Sequence, residues 1–216
     1  MIKQLRRLRF GRPGSAMIIS ALLLSIGAAG AVAPHDNPAT DPVAVVDRLQ
    51  ASLLDLTEAG AGLSFDEAFK ICEGFVRATH DLPYMAKLAL GRSKWQSLSD
   101  AEQSEFLALF TELSVTTYVT RFQGNHGVGF TKSEQRALSR GRYEVRSQLI
   151  RPNGETVAMS YILHQSNDRP MIINIVAEGV SELALKRSEY QRILQDSDFN
   201  ALAHYIQSKI VDMVKA

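Results

Sequence analysis

Arg142-Tyr-Glu-Val-Arg-Ser-Gln-Leu-Ile150 alternates in character residue by residue, and after the turn signal Arg151-Pro-Asn-Gly-Glu155 the stretch Thr156-Val-Ala-Met-Ser-Tyr-Ile-Leu-His164 alternates again. A period of two marks strands with one buried face. Tyr143, Val145, Ser147 and Leu149 share one side of the first strand, against Arg142, Glu144, Arg146 and Gln148. In the second, Val157, Met159, Tyr161 and Leu163 oppose Thr156, Ala158, Ser160 and His164. Working outward, Ser166-Asn-Asp-Arg169 is a further turn, residues 171–177 a mostly apolar strand, and residues 128–138 a weaker one. The expectation is a four-stranded antiparallel meander.

Helical signals surround this meander on both sides. Asp41-Pro42 opens a helix with Val46, Leu49, Leu53 and Leu56 in helical register, closed by Gly60 and Gly62. Ser64-Phe-Asp-Glu67 is a capping box for a second helix, with Phe65, Phe69, Cys72 and Val76 on one stripe. Pro83 starts a short helix through Met85 and Leu88 to Gly91. Ser99-Asp-Ala-Glu102 caps a long helix bearing Phe106, Leu109, Phe110, Leu113 and Tyr118, which ends near Gly124. Residues 180–194 and 199–214 close the chain as two more helices. Helices before and after a meander make an α+β domain.

Composition narrows the function. The 216 residues are 45% hydrophobic and 22% charged, as in an ordinary globular chain. Residues 1–33 carry Lys3, Arg6, Arg7, Arg9 and Arg12 and no acid, whereas the remainder holds 19 basic against 23 acidic residues. A body without a basic excess is poorly suited to nucleic acid. An apolar run over residues 16–30 follows the basic start. At about 15 residues it is short of a membrane span and fits a signal peptide. Small residues after it favour cleavage behind Ala31. Residues 1–31 are thus expected to be a cleavable signal, 32–40 a flexible leader, and 41–216 one domain; in a Gram-negative source the address is the periplasm.

Chemistry is hard to find. One cysteine, Cys72, excludes an internal disulfide and any multi-cysteine zinc site, and its apolar stripe suits a buried, inert thiol. His35, His80, His126, His164 and His204 lie far apart, without metal-ligand spacing. His80-Asp81 is the one adjacent acid–base couple, and a histidine near a helix C-terminus also complements the dipole. Gly124-Asn-His-Gly-Val-Gly129 lies between a helix and a strand, the reverse of a phosphate cradle. Arg142 and Arg146, on the outer sheet face, suit either a solvated edge or a docking surface. No catalytic set, metal or cofactor is implied. An apolar inventory remains: Tyr84, Met85, Leu88, Trp95, Phe106, Phe110 and Tyr118 from helices, and Val145, Leu149, Met159, Tyr161 and Leu163 from one sheet face. Periodicity is the same whether these fill a core or line a cavity.

Leu82-Pro-Tyr-Met-Ala-Lys-Leu-Ala-Leu-Gly-Arg-Ser-Lys-Trp95, the helix through Phe106 and Phe110 to Thr117-Tyr118, the hairpin Arg151-Pro-Asn-Gly-Glu155, and Glu178-Gly-Val-Ser181 followed by Tyr190 and Asp198-Phe-Asn-Ala-Leu202 together resemble the MlaC, or toluene-tolerance, family. Ser181-Glu-Leu-Ala-Leu-Lys-Arg-Ser-Glu-Tyr190 looks like its hopanoid-associated HpnM subgroup. Where the family has a Trp-Arg-Ile-x-Asp strand, this chain reads Pro170-Met-Ile-Ile-Asn174. The resemblance implies a twisted sheet packed with helices around an apolar pocket, NTF2-like in outline. It further implies a periplasmic carrier of phospholipid or hopanoid, docking on an inner-membrane lipid transporter complex and an outer-membrane lipoprotein–porin complex. The apolar inventory, with Ile173 and Ile175 rather than Ile172 and Val176, becomes the expected lipid lining. The alternatives are a small NTF2-like enzyme using His80, Asp81 or Tyr161, and an interaction domain with a solid core.

Overall fold

The computed structural model describes residues 41–215, so the expected signal peptide and leader lie outside the described residues. Seven α-helices and six strands are present among them. Helix α1 (Pro42–Ala59) begins where the Asp41 carboxylate accepts the Val43 N–H at 2.9 Å. Capping boxes open α2 (Phe65–Thr79), from Ser64 and Glu67, and α5 (Asp100–Phe122), from Ser99 and Glu102. Between them stand α3 (Leu82–Leu90), capped by Asp81, and the short α4 (Arg92–Ser97). The strands β1 (Gly129–Phe130), β2 (Glu134–Ala137), β3 (Tyr143–Ile150), β4 (Thr156–Ser166), β5 (Arg169–Ala177) and β6 (Val180–Ser181) follow, then α6 (Glu182–Asp196) and α7 (Phe199–Lys215).

The sheet is antiparallel throughout its ladders, in the order β1-β3-β4-β5-β6, with β2 also paired to β3. Six strands replace the four expected, for two local reasons. First, the edge over residues 128–138 is broken: between the Phe130–Leu149 and Glu134–Arg146 pairs, three edge residues face two on β3. This extra residue is a bulge that splits one strand into β1 and β2. Second, Glu178 and Gly179 both take positive φ, giving a two-residue turn that folds Val180 and Ser181 back on β5 as β6. The helix expected from residue 180 therefore starts at Glu182.

Strand β5 carries a second irregularity. Ile162 pairs with Asn174 but Leu163 pairs with Ile172, so Ile173 falls outside the register. Ile175 stays opposite Tyr161, while the inward position beyond the bulge passes to Ile172, which is fully buried. The expectation that Ile173 and not Ile172 faces the helices is corrected: an added residue reverses which side of the sheet the next one meets.

Helix α5 is the spine, packed by α1, α2, α3 and α7, while α1, α3 and α6 reach the sheet at β5. The chain passes from α2 to α3 through His80 and Asp81, and the Asp81 N–H donates to the Ile172 carbonyl at 3.0 Å. That bond ties the helical layer to the sheet by its backbone. Gly91, between α3 and α4, has φ +82 and ψ 149, a conformation nearly restricted to glycine. A Cβ there meets the Gln191 amide of α6 at 3.3 Å. Gly91→Ala is expected to lower unfolding free energy by roughly 1–3 kcal/mol, read from the urea midpoint at unchanged slope.

Candidate functional site: an apolar cavity between helix and sheet

A cavity of about 420 Å³ lies between α5, α1 and the inner face of β3–β5, closed at one side by the start of α6. Leu49 and Leu53 of α1 form part of its wall with Phe110, Tyr118 and Phe122 of α5. Val128 and Phe130 enter from the edge, Leu149, Val157, Met159, Tyr161 and Ile175 from the sheet, and Met85 and Leu183 from α3 and α6. Leu49, Leu53, Phe110 and Tyr161 are buried, whereas Leu149, Met159 and Ile175 are only half-buried although they project from the middle of the sheet. Apolar side chains in a filled interior lose their water almost completely. These keep part of theirs because they face open space.

Of the residues singled out in the sequence, Met85, Phe110, Tyr118, Leu149, Met159, Tyr161 and Ile175 meet at this cavity. Seven others are elsewhere. Phe106 is fully buried among Trp95, Phe110 and Tyr190, with ring centroids 6.3, 6.1 and 5.7 Å away. Leu88 and Trp95 border a shallow groove with Lys87, Arg92 and Arg187. Tyr84 is exposed, its ring tilted against that of His164 with centroids 4.4 Å apart. Val145 and Leu163 are fully buried in the core, and Ile173 is buried at the bulge. Along α5 the division has a local cause: Trp95 of α4 and Tyr190 of α6 cover Phe106, and the cavity receives Phe110 and Tyr118.

Sequence reasoning missed Ser114, Thr117 and Arg121. They extend Phe110 and Tyr118 along one helical face at spacings of four, seven and eleven from Phe110. The polar side chains hid this continuation. Ser114 and Thr117 in fact return their hydroxyls to the Phe110 and Leu113 carbonyls at 2.7 Å each, so they add little polarity to the wall. Leu49 and Leu53 stand in the helical register read for the first helix, and periodicity carries nothing that marks them as wall.

Polar groups at the wall are tied to one another. The buried Gln50 amide donates to Ser147 Oγ at 2.8 Å and to the Tyr161 hydroxyl at 3.3 Å. The Thr79 hydroxyl donates to the Phe75 carbonyl at 2.8 Å and therefore accepts from His80 Nδ1 at 2.9 Å. This leaves His80 Nε2 to accept from the Tyr118 hydroxyl, also at 2.9 Å. His80 is 3% exposed, and burial pushes its pKa down to about 4. It is thus neutral near pH 7, which corrects the reading of His80 as a charge complementing the end of α2. Asp81, its neighbour in sequence, does not line the cavity and meets His164 Nε2 at 2.8 Å instead. Cys72 is buried, and its thiol is pushed up to about 12 by burial, as expected for an inert group.

His80 sets a pH dependence. Its folded pKa near 4 lies below the ordinary 6.5. Between these values the unfolded chain binds a proton that the fold excludes, so stability rises with pH. The contribution is complete above pH 6.5 and is lost as pH falls towards 4, by about 3 kcal/mol in all. Urea unfolding across this window is expected to show that slope, and His80→Gln to flatten it. An equal slope in the variant contradicts a neutral buried His80.

No curated protein sequence matches the chain. A solved phospholipid-binding protein from Ralstonia solanacearum, in complex with a phospholipid, is similar in structure: the TM-score is 0.69 at 18% identity, covering 81% of this chain and 98% of that one. At that identity the likeness is one of fold. The family model described as MlaC protein matches residues 46–208, well over half of the sequence, and the chain belongs to the MlaC family.

Proposed function

We propose that this protein is a lipid-binding carrier that shields the apolar part of a phospholipid or hopanoid in the cavity. The observation that carries the reading is the half-buried state of Leu149, Met159 and Ile175 around about 420 Å³. Such a volume falls within the roughly 300–1,000 Å³ of ligand sites. A structural relative binds phospholipid, and the family model spans the domain that holds the cavity. Two acyl chains contain on the order of 30 methylenes, and about 0.8 kcal/mol each makes free passage through water prohibitively slow. An apolar lining answers that need without a reactive group. The acid–base groups at the wall, His80 and Tyr161, are held in hydrogen bonds to Thr79, Tyr118 and Gln50, which supports a carrier rather than an enzyme.

Loading and unloading follow from linkage. A tightly held lipid leaves at useful speed only if a partner binds an opened conformation better than the closed one. The carrier is accordingly assigned to the periplasm, where MlaC family members generally reside, shuttling lipid between an inner-membrane transporter complex and an outer-membrane lipoprotein–porin complex. HpnM-like residues 181–190 point towards hopanoid-associated members.

Purification of residues 32–216, organic extraction and mass spectrometry are expected to yield stoichiometric phospholipid or hopanoid. A lipid-free protein that takes nothing from vesicles refutes the carrier. Leu149→Trp and Met159→Trp are expected to lower lipid loading at least about fivefold, with each fold destabilised by less than the roughly 1–3 kcal/mol of overpacking. Full overpacking losses in both variants contradict an open cavity.

A further inference from the structure

The opening of the cavity is lined by different chemistry from its floor. Arg121 at the end of α5, Asn125 just beyond it, Arg151 in the β3–β4 turn, and Glu182 and Lys186 on the first turns of α6 all contribute to the wall. Arg121, Asn125 and Arg151 are exposed, and Glu182 and Lys186 half-buried. Three cations thus accompany one carboxylate. Arg121 holds that carboxylate, Glu182, at 2.6 Å, and Arg151 holds Glu155 at 3.2 Å.

Lys186 is placed differently. Among the described residues no carboxylate oxygen lies within 4 Å of its amine, and the amine makes no hydrogen bond. The groups facing it are Glu182, Glu189, Arg121 and Lys209, and burial holds its pKa below the ordinary lysine range. A half-desolvated ammonium with no carboxylate in direct contact is unfavourable. Lys186 lines the cavity together with the exposed Arg121 and Arg151. Protein carboxylates leave this position open to an anion that arrives with the ligand.

We propose that Lys186 receives the phosphate of a lipid whose tails occupy the cavity, with Arg121 and Arg151 completing a positive collar. The assignment rests on the carrier reading above and adds to it a specificity-determining residue: Lys186 is what sets a phosphate-bearing lipid above an uncharged lipid with the same tails. An uncharged polycyclic lipid leaves the amine unmatched. A lysine is a compact point charge with three rotatable donors, which suits phosphates presented at several angles by different headgroups.

The test compares two soluble ligands with identical tails, dioctanoyl phosphatidylglycerol and dioctanoylglycerol, titrated calorimetrically into delipidated protein. The wild type is expected to bind the phosphate-bearing ligand about tenfold more tightly, the scale of one charge-assisted hydrogen bond. Raising salt is expected to shrink this ratio, since the collar is partly exposed. Lys186→Met is expected to abolish most of the ratio, and Lys186→Arg to retain it. Equal wild-type affinities, or a ratio unchanged in Lys186→Met, overturn the phosphate site and leave the carrier standing. Failure of the wild type to bind either ligand overturns both.

Discussion

The Gln50 amide, donating from α1 to Ser147 and Tyr161 in the middle of the sheet, is the constraint on which the hollow depends. Hydrophobic attraction has no direction and by itself drives apolar faces together until the space between them is gone. Buried polar groups are directional, and leaving one unmatched costs about 1–3 kcal/mol. Three such ties hold the walls. Gln50 fixes α1 over β3 and β4; His80 joins the end of α2 to Tyr118 of α5; the Asp81 N–H joins the α2–α3 junction to Ile172. Further collapse around Met159 and Ile175 strains bonds that are already satisfied within the wall. The cavity is a compromise between burial and satisfied hydrogen bonds.

This also explains the fate of the acid–base candidates. His80 and Asp81 are neighbours in sequence, yet they turn to opposite tasks, one inward to Tyr118 and one to His164 beneath the Tyr84 ring. Neither presents a free proton donor or acceptor to the cavity. A neutral histidine, a phenol and an amide act as struts, and the wall between them stays apolar.

Much of the architecture was legible in the sequence because it is local. Caps at Asp41, Ser64 and Ser99 fix helix starts through bonds spanning three residues, and the alternation in β3 and β4 fixes which side chains share a face. Two insertions escaped that reasoning. A bulge needs one residue more on a strand than on its partner, and Thr131–Ser133 or Ile173 acquires that meaning only once the partner's register is known. The site was legible by half for a related reason. Phe106 and Phe110 are one helical turn apart on the same stripe, but α4 and Tyr190 arrive over the first, and the second faces the hollow. Helical period identifies the face; distant packing decides what the face meets. Lys186 and Arg121 were hidden because charged residues on helices are ordinarily read as solvated.

The ties around the cavity are unequal, and the inequality bears on how a guest enters and leaves. Those under α1 and at the α2–α3 junction are buried and shielded from competing water. The start of α6 is held by Ser181 against Asn174 at 3.0 Å and by the Arg121–Glu182 pair, whose arginine is 60% exposed. An exposed ion pair contributes only about 0–1 kcal/mol, and salt screens it. Leu183 and Lys186 belong to this wall, whose polar ties are weaker than the Gln50 anchor. The stronger polar ties therefore lie at the Gln50 end of the hollow, and the weaker ones at its rim.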